Sequence, residues 1–330
     1  MKDFARRIAV ITGGGTGMGR ELARQLATEG CHVAMCDVSE ESMAQTKAIC
    51  ERVAPRGTQV STTLADVSDE PQVIAFRDAV ARVHRTDHIN LLFNNAGIGA
   101  AGSFIRDERA EWEKTFNVCW YGVYYCSRAF VPMLIKSSEG HLINTSSVNG
   151  FWATLGPTTA HTSYSSAKFA VKGFSEALIN DFRVNAPHVK VSVVMPGHIG
   201  TSIIINSARI LGRDPKEMPD DQVEDARQSI LRLGFDVGGA TNDEIRQLLQ
   251  LRAEVFRDQA PMSAAEAAKV ILDGVRQERW RILVGEDAHV LDRMVREAPE
   301  EAYEASFMDR FVAASGWKLT PNNQDVVEPG

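Results

Sequence analysis

Short apolar runs alternate with longer amphipathic stretches, and this alternation most constrains what the chain can fold into. Most runs are nearly continuous in apolar residues, which is typical of strands covered on both faces of a sheet. Alternating strands and helices with short connections favour a parallel sheet with right-handed crossovers. We therefore predict an α/β fold, a doubly wound parallel sheet of the Rossmann type with about seven strands. The predicted strands are Ile8–Thr12, His32–Asp37, Thr58–Leu64, Ile89–Asn94, His141–Ser146 and Val189–Met195, with Arg281–Val284 as a candidate seventh.

Amphipathic stretches between these runs predict helices, and two segments break the regular alternation. The first is a polar, helix-rich insertion at 202–261, which is long compared with usual connections of roughly 2–6 residues and is expected to be a substrate lid. The second is the tail, with a predicted helix at Asp287–Phe307 and a loose end at Thr320–Gly330. The predicted division is a core at 1–201, the lid at 202–261, the last helix and strand of the core at 262–285, and a C-terminal helical extension at 286–330. The other predicted helices are Arg20–Glu29, Glu41–Val53, Pro71–Arg85, Glu108–Lys136, Ser165–Val184, Glu224–Leu233, Asn242–Phe256 and Ala264–Gln277.

The composition excludes several classes of protein. The 330 residues are 44% hydrophobic and 24% charged, as in ordinary globular proteins. The net charge of -7 argues against nucleic acid or an anionic membrane as a partner. We expect no transmembrane helix and no signal peptide, and therefore a cytoplasmic protein. The 5 cysteines include no CxxC pair, and the histidines show no metal-binding spacing, so we expect free thiols and no metal site.

A glycine-rich segment, Thr12-Gly13-Gly14-Gly15-Thr16-Gly17-Met18-Gly19, joins the first predicted strand to the first helix. Glycine permits a tight turn and lets backbone N–H groups approach a phosphate, and the helix N-terminus adds partial positive charge. The spacing is G-x-x-x-G-x-G, which differs from the common dinucleotide fingerprint, and a plain loop is the alternative. Asp37 ends the second strand, where an acidic residue can bind a ribose 2′-hydroxyl. The alternative role for Asp37 is at the start of the next helix.

Tyr164 and Lys168 stand at positions i and i+4 of a predicted helix, on one face. A neighbouring cation favours the phenolate and lowers the pKa of tyrosine, which makes the phenol a usable acid/base. A chance surface pair is the alternative for this pattern alone. Further polar groups end predicted strands, where ligands bind in such sheets. These groups are the segments 94–97, 144–147 and 196–201.

In combination, these motifs resemble the short-chain dehydrogenase/reductase family. TGGGTGMG, NNAG, YSSAK and PGHIGT occur in that family's order and spacing. The resemblance covers about 3–201 and returns more weakly at 262–285. It implies hydride transfer between a nicotinamide cofactor and an alcohol or carbonyl, with the protein supplying orientation and proton transfer.

The resemblance also implies roles for individual residues. Tyr164 resembles the acid/base, Lys168 its partner that lowers the pKa and holds the ribose, and Ser147 the serine that orients the carbonyl. Asn117 resembles the asparagine that completes a proton relay through a water. Ser147 is preferred over Ser146 because Ser147-Val148-Asn149-Gly150 resembles the family's S-x-x-G segment. Adjacent strand residues face opposite ways, so both serines cannot point into the site. The residues expected to bind the cofactor are Thr12, Gly13, Gly15, Thr16, Gly17, Met18, Gly19, Asp37, Asp66, Val67, Asn95, Ala96, Gly97, Tyr164, Lys168, Pro196, Gly197, Ile199 and Thr201.

The chain departs from the family pattern near the substrate. The interval from Ser147 to Tyr164 is about four residues longer than is typical of the family, and the segment after Thr201 is much longer. Apolar residues in both places predict a bulky, largely apolar secondary alcohol or ketone as the substrate. Packing of these residues onto the sheet is the alternative. The residues expected to contact the substrate are Ser147, Trp152, His161 and His198.

The resulting interpretation is an NAD(P)-dependent oxidoreductase that prefers NAD, since Asp37 would repel a 2′-phosphate and no basic residue follows it closely. The alternatives are an NADPH-preferring carbonyl reductase and a family member that binds dinucleotide without catalysis. Excess apolar and aromatic residues in the predicted helices Glu108–Lys136 and Ser165–Val184 predict a homodimer or homotetramer, because an excess apolar face usually marks an interface.

Overall fold

Seven parallel strands form the centre of the computed structural model, which describes residues 1–99, 102–157, 159–232 and 234–317. Their spatial order is β3-β2-β1-β4-β5-β6-β9, and β7 and β8 form a separate two-stranded pair. The doubly wound α/β fold with about seven strands is therefore confirmed. The strands are β1 Ile8–Thr12, β2 His32–Asp37, β3 Val60–Leu64, β4 Leu91–Asn94, β5 Gly140–Thr145, β6 Val189–Pro196, β7 Ile199–Gly200, β8 Met262–Ser263 and β9 Arg281–Val284.

Twelve α-helices accompany the strands within the described residues. Their bounds are α1 Gly17–Thr28, α2 Glu40–Val53, α3 Glu70–His84, α4 Arg109–Phe116, α5 Gly122–Ile135, α6 Thr162–Asn185, α7 Ile203–Ile210, α8 Asp220–Arg232, α9 Asn242–Asp258, α10 Ala264–Arg276, α11 Glu286–Glu297 and α12 Ala305–Ser315. Two of the predicted strands start later than expected, at Val60 and Leu91, where pairing with the neighbouring strand begins.

The helices cover both faces of the sheet, as the apolar strands predict. Successive residues of β1 point to opposite sides, so Ala9 and Ile11 join the apolar cluster with α1 and α10. Ile8 and Val10 join the cluster on the other face, with α3, α5 and α6. The order also makes β1 and β4 neighbours, where the chain switches direction across the sheet. Ligands bind at such switch points, outside the carboxyl ends of the strands.

The insertion leaves and re-enters the core at one place. Ile199 and Gly200 of β7 pair with Met262 and Ser263 of β8, which tie the two ends of the 202–261 segment together. Within it, α8 and α9 share a small apolar cluster of their own, centred on Val223, Ile230 and Ile245. The sequence did not predict α7, β7 or β8, because β7 and β8 are only two residues long and α7 opens with three isoleucines that resemble a strand.

Two predicted helices are divided in the structure. A π-helical turn at Asn117–Tyr121 separates α4 from α5 within the predicted helix Glu108–Lys136. The prediction of one helix at Asp287–Phe307 is wrong, because α11 ends at Glu297 and a 3₁₀ turn begins at Pro299. Proline has no N–H to continue the helix and disfavours helical backbone at the residue before it. The predicted loose end at Thr320–Gly330 lies outside the described residues.

The C-terminal helices α11 and α12 pack onto the segment that follows β5. Phe307 and Phe311 of α12 contact the indole of Trp152, whose Nε1 donates a 2.7 Å hydrogen bond to the Ala302 carbonyl. This packing covers the segment that follows the carboxyl end of β5. Among the described residues, none of the helices is both long enough and apolar enough to cross a membrane.

Candidate active site

The glycine-rich turn is bound tightly to the end of β4. The Thr12 hydroxyl accepts 3.0 Å hydrogen bonds from the backbone N–H groups of Asn95 and Ala96. The Asn95 amide donates in return to the carbonyls of Thr12 and Gly13. A Cβ at Gly19 would overlap the Gly13 carbonyl, so the first helix can approach the turn only with glycine there. The glycine-rich turn and the segment that follows β4, which are distant in sequence, are therefore hydrogen-bonded to each other at the switch point.

Asp37 lies against this turn from the end of β2. Its Oδ2 accepts a 2.9 Å hydrogen bond from the Gly15 N–H, and its Oδ1 accepts one from the Ser39 N–H. Ser39 caps α2, so Asp37 also supports the start of that helix, and both roles considered for it are compatible with one position. From the other side, Arg20 donates to the Gly15 carbonyl, which also accepts from the Thr46 hydroxyl.

Asp66 and Val67 follow β3 on the same edge of the sheet. The Lys114 ammonium lies 2.7 Å from the Asp66 carboxylate. The backbone N–H and the hydroxyl of Ser68 both donate hydrogen bonds to the same carboxylate. Burial acts to raise the pKa of Asp66, but these hydrogen bonds outweigh it and leave the pKa below its usual value. Asp66 is thus held as an anion by an α4 lysine, and Val67 packs against Gly122.

The segment 196–201 reaches the glycine-rich turn from the other side of the cleft. A Cβ at Gly17, which has a φ of 53°, would lie 3.2 Å from the Thr201 side chain. Ile199 is buried in β7, and Gly197 leaves room for the carboxylate of Asp287. The remaining cofactor candidates, Met18 and Pro196, stand at the start of α1 and the end of β6. The segment 196–201 therefore lies beside the glycine-rich turn, as do the cofactor candidates Asn95 and Ala96.

Helix α7 bridges this cleft, a contact that the sequence did not reveal. The Asn206 side-chain amide donates a 3.0 Å hydrogen bond to the Thr16 hydroxyl in the glycine-rich turn. One residue later, the Ser207 hydroxyl accepts a 2.8 Å hydrogen bond from the Gly99 N–H after β4. Ile203 and Ile204 also approach Gly99. The first helix of the insertion thus contacts both the glycine-rich turn and the segment that follows β4.

Three of the four catalytic candidates cluster where β5 meets α6. The Lys168 ammonium donates a 2.9 Å hydrogen bond to the Thr145 carbonyl and lies 5.4 Å from the centroid of the Tyr164 ring. It is also 3.5 Å from the position that a Cβ on Gly97 would take. The Ser147 side chain lies near enough to the Tyr164 phenol to lower its pKa. In contrast, the Ser146 hydroxyl donates to the Lys168 carbonyl and faces away from the phenol.

Burial dominates the electrostatics of this cluster. It raises the pKa of the Tyr164 phenol above its ordinary value, a nearby Cys119 acts in the same direction, and the nearby Ser147 side chain opposes them. Burial also lowers the pKa of the Lys168 ammonium. Burial is therefore the largest influence on the pKa of the Tyr164 phenol, because it disfavours the charged phenolate.

Asn117, the fourth catalytic candidate, begins the π-helical turn, and the Gly122 N–H donates to its carbonyl across the wider turn. Single π-helical turns inside α-helices are frequent at functional sites. The same turn carries the buried Cys119, whose thiol donates to the Ile98 carbonyl at 3.3 Å. Sequence reasoning missed Cys119 as a neighbour of Tyr164, and its position two residues after Asn117 was the available signal.

The substrate candidates divide into two groups. Ser147 and His161 contact Tyr164, and the His161 and Tyr164 rings are stacked with centroids 4.8 Å apart. Trp152 and His198 do not reach the phenol. Trp152 is 1% exposed and packs with the apolar side chains of α11 and α12. It also lines a pocket of about 380 Å³, together with residues such as Ala160 and Ala302. His198 packs on Phe256 of α9, and its Nε2 lies 2.7 Å from the Phe256 carbonyl oxygen.

Trp152 and His198 both pack against elements outside the sheet. Each side chain turns toward an added helical segment, Trp152 toward α12 and His198 toward α9, because those helices need apolar partners on the core. Both residues therefore attach added elements to the core.

Comparisons with known proteins agree with this architecture. Residues 7–209 match the family model described as short chain dehydrogenase. SadH of Mycobacterium tuberculosis, named as an oxidoreductase, is 32% identical over 322 residues, covering 97% of this chain and 99% of SadH. Levodione reductase of Leifsonia aquatica is 31% identical over 223 residues, covering 67% of this chain and 80% of that protein. A short-chain dehydrogenase/reductase from Burkholderia phymatum, solved in complex with NAD, superimposes with a TM-score of 0.71 at 27% identity, covering 91% of this chain and 96% of that one.

Proposed function

Because this chain belongs to the short-chain dehydrogenase family, we propose that it transfers a hydride between NAD and a secondary alcohol or ketone, with Tyr164 as the acid/base. That it is an oxidoreductase binding a nicotinamide dinucleotide follows from the family; the cofactor preference, the substrate and the residue roles are the proposal. The observation that carries it is the cluster of Ser147, Tyr164 and Lys168 beside the glycine-rich turn, with the Lys168 ammonium between Thr145 and Gly97.

The cleft has the chemistry to hold a dinucleotide. Gly13 and Gly17 have φ values of 65° and 53°, a conformation that lets backbone approach a phosphate closely. Thr16 does not cap α1 with its side chain, so the N–H groups of the first turn are left to an anion at the positive end of the helix dipole. α1 also has no acidic residue in its first turn that would repel one. The bound cofactor would accept or supply the hydride.

The protein's own groups would handle the oxygen and its proton. The Ser147 hydroxyl would donate to the substrate oxygen, which fixes the carbonyl and stabilises negative charge on it. Tyr164 Oη would take the alcohol proton during oxidation and return it during reduction. The positive charge of Lys168 would offset the cost of a buried phenolate. Asn117, at its π-helical turn, would position a water through which the proton exchanges with solvent.

Asp37 supports a preference for NAD over NADP. Its carboxylate is fixed against the turn by the Gly15 N–H at 2.9 Å, where the ribose next to the adenine would lie. A 2′-phosphate there would meet the Asp37 charge. The nearby Arg20 guanidinium already donates hydrogen bonds to the Gly15 carbonyl and the Thr46 hydroxyl, so it is not positioned to pair with a 2′-phosphate.

A largely apolar substrate is supported by one of the two segments that suggested it. Ile203 and Ile204 of α7 lie beside Gly99, next to the cofactor cleft. Phe151 and Trp152 do not support an apolar substrate site, because their side chains contact other parts of the protein. The Arg281 guanidinium lies over the Phe151 ring, and Trp152 is buried against α12. We therefore keep a bulky, mainly apolar secondary alcohol or ketone as the proposed class and assign its apolar contacts to α7.

A substrate panel tests this proposal. Cyclic and aryl ketones and their alcohols would be assayed against sugars and short polyols, with each of NAD(H) and NADP(H), by following cofactor absorbance. We expect the highest kcat/KM for the apolar carbonyl set with NAD(H). A clear preference for polyols would contradict the substrate class, and no turnover of any carbonyl or alcohol would contradict the proposed catalysis.

A further inference from the structure

His161 is a buried side chain whose polar atoms have no partner within the described part of the chain. It is 7% exposed, and neither Nδ1 nor Nε2 is hydrogen-bonded. The residue is held in place by its backbone, through a parallel bridge to Gly102 and a hydrogen bond from the Thr162 N–H to the Gly102 carbonyl. Each buried polar group without a partner destabilises the folded protein. A residue that served only to fill space would avoid this cost with an apolar side chain.

The other buried histidines behave differently. His141 Nε2 lies 2.7 Å from the Ser192 hydroxyl, and His198 Nε2 lies 2.7 Å from the Phe256 carbonyl oxygen. His141 Nδ1 also lacks a partner, but the Nε2 atoms of His141 and His198 each have one, and both side chains pack between elements. His161 therefore differs from them in having two unsatisfied nitrogens at the one place where a ligand is expected.

The position of His161 ties it to the reacting oxygen. Its ring lies nearly parallel to the Tyr164 ring, with an interplanar angle of 22° and centroids 4.8 Å apart. Stacked rings at this distance bring the edge of the imidazole close to the edge of the phenol. A substrate whose oxygen meets Tyr164 and Ser147 would therefore present neighbouring atoms of its skeleton to the imidazole edge.

The imidazole is also in a defined protonation state. Burial lowers the pKa of His161 to about 4, so the ring is neutral at ordinary pH. A neutral imidazole has one N–H donor and one acceptor nitrogen, and it carries no charge with which to hold a carboxylate. Its natural partner is an uncharged oxygen, either a carbonyl that accepts or a hydroxyl that both donates and accepts.

We propose that His161 is a specificity-determining residue that hydrogen-bonds a second, uncharged oxygen of the substrate, a few bonds from the carbon that exchanges the hydride. The substrate class is then a mainly apolar ketone or secondary alcohol with a second carbonyl or hydroxyl group, such as a cyclic diketone or hydroxyketone. This inference rests on the proposed function and deepens it. A site built to hydrogen-bond a substrate oxygen discriminates strongly against the analogue that lacks it, because its own polar group stays unpaired.

The test compares a cyclic diketone with the monoketone of the same ring, corrected for the two equivalent carbonyls of the diketone. We expect wild-type kcat/KM to favour the diketone by about tenfold or more. In His161→Phe, which keeps an aromatic ring on Tyr164, that ratio should fall to about one. In His161→Gln, which restores a donor and an acceptor, part of the preference should return. His188→Phe is the matched control, because His188 lies just before the amino end of β6 and the site is expected at the carboxyl ends of the strands. This variant should keep the wild-type ratio.

Binding gives a second readout that does not depend on turnover. In the Tyr164→Phe background with reduced cofactor bound, titration calorimetry should show tighter binding of the diketone than of the monoketone, and adding His161→Phe should remove the difference. Equal affinities before that change, or equal losses for both ketones in His161→Phe, would overturn the role of His161 while leaving the proposed catalysis intact. If the wild type turned over neither ketone nor any other carbonyl, both the proposed function and this inference would be wrong.

Discussion

The Lys168 ammonium lies 5.4 Å from the centroid of the Tyr164 ring, one turn along the same helix. Lys168 is 2% exposed and donates to the Thr145 carbonyl at the end of β5. A buried cation is retained only where a partner or function offsets its desolvation. The proposed catalysis rests on this pair, and the first prediction concerns the Tyr164 phenol.

Tyr164→Phe removes the proton that must move and keeps the ring that stacks on His161. We expect kcat to fall at least about 10²-fold, because positioned acid/base groups contribute that much or more. Cofactor affinity, measured by fluorescence titration, should be largely retained. Tyr303→Phe, at a 60% exposed position outside the site, serves as the control. Near wild-type turnover by Tyr164→Phe would refute the mechanism.

Asp37→Ser should shift the cofactor preference. The change removes the carboxylate that a 2′-phosphate would face, so we expect the ratio of kcat/KM for NADP to that for NAD to rise by about tenfold or more. Affinity for both cofactors can fall, since Asp37 also holds the Gly15 N–H; the ratio is the relevant quantity. Asp78→Ser, on α3, is a matched control with a 60% exposed carboxylate. A wild-type preference for NADP would show that Asp37 does not contact the ribose.

The aromatic side chains of the π-helical turn, α5 and α6 predict self-association. Trp120, Tyr124 and Phe174 pack together there, and Tyr121 and Phe169 are 39% and 41% exposed. Apolar patches of this kind usually mark interfaces. Light scattering at micromolar concentration should give a dimer or tetramer of the 36.3 kDa chain, and Phe169→Glu should shift it toward the monomer. A wild-type mass equal to one chain would contradict the prediction.

Acid should destabilise the protein below neutral pH. The folded-state pKa of His161 is about 4, below the ordinary value of 6.5, because burial disfavours the charged ring. Its stabilising effect is therefore fully present above pH 6.5 and is lost as the pH falls toward 4, since only the unfolded chain takes up the proton. Each such group adds a slope of about 1.4 kcal/mol per pH unit to the free energy of unfolding.

Urea unfolding between these pH values would measure that slope. His161→Phe should reduce it by about one proton. A slope that does not differ between wild type and His161→Phe would mean that His161 is not buried in the neutral form.

Much of the fold was predictable from local pattern. Buried parallel strands are mostly apolar on both faces, so β1 and β4 are recognisable without knowledge of their neighbours. The same holds for Tyr164 and Lys168, whose spacing on one helix guarantees a common face. The choice of Ser147 over Ser146 was also available from the sequence, through the family's S-x-x-G pattern and the rule that adjacent strand residues point to opposite sides.

Only the tertiary structure decided which side chains share the cleft. Trp152 and His198 follow strand ends as the site residues do, yet each turns toward a helix that is distant in sequence, α12 or α9. The bridge from Asn206 to Thr16 and the stacking of His161 on Tyr164 likewise arise from packing between elements. Periodicity and spacing determine local conformation and the face of an element, but the direction of a loop side chain depends on which distant apolar surface it can bury, and that is determined only when the chain is folded.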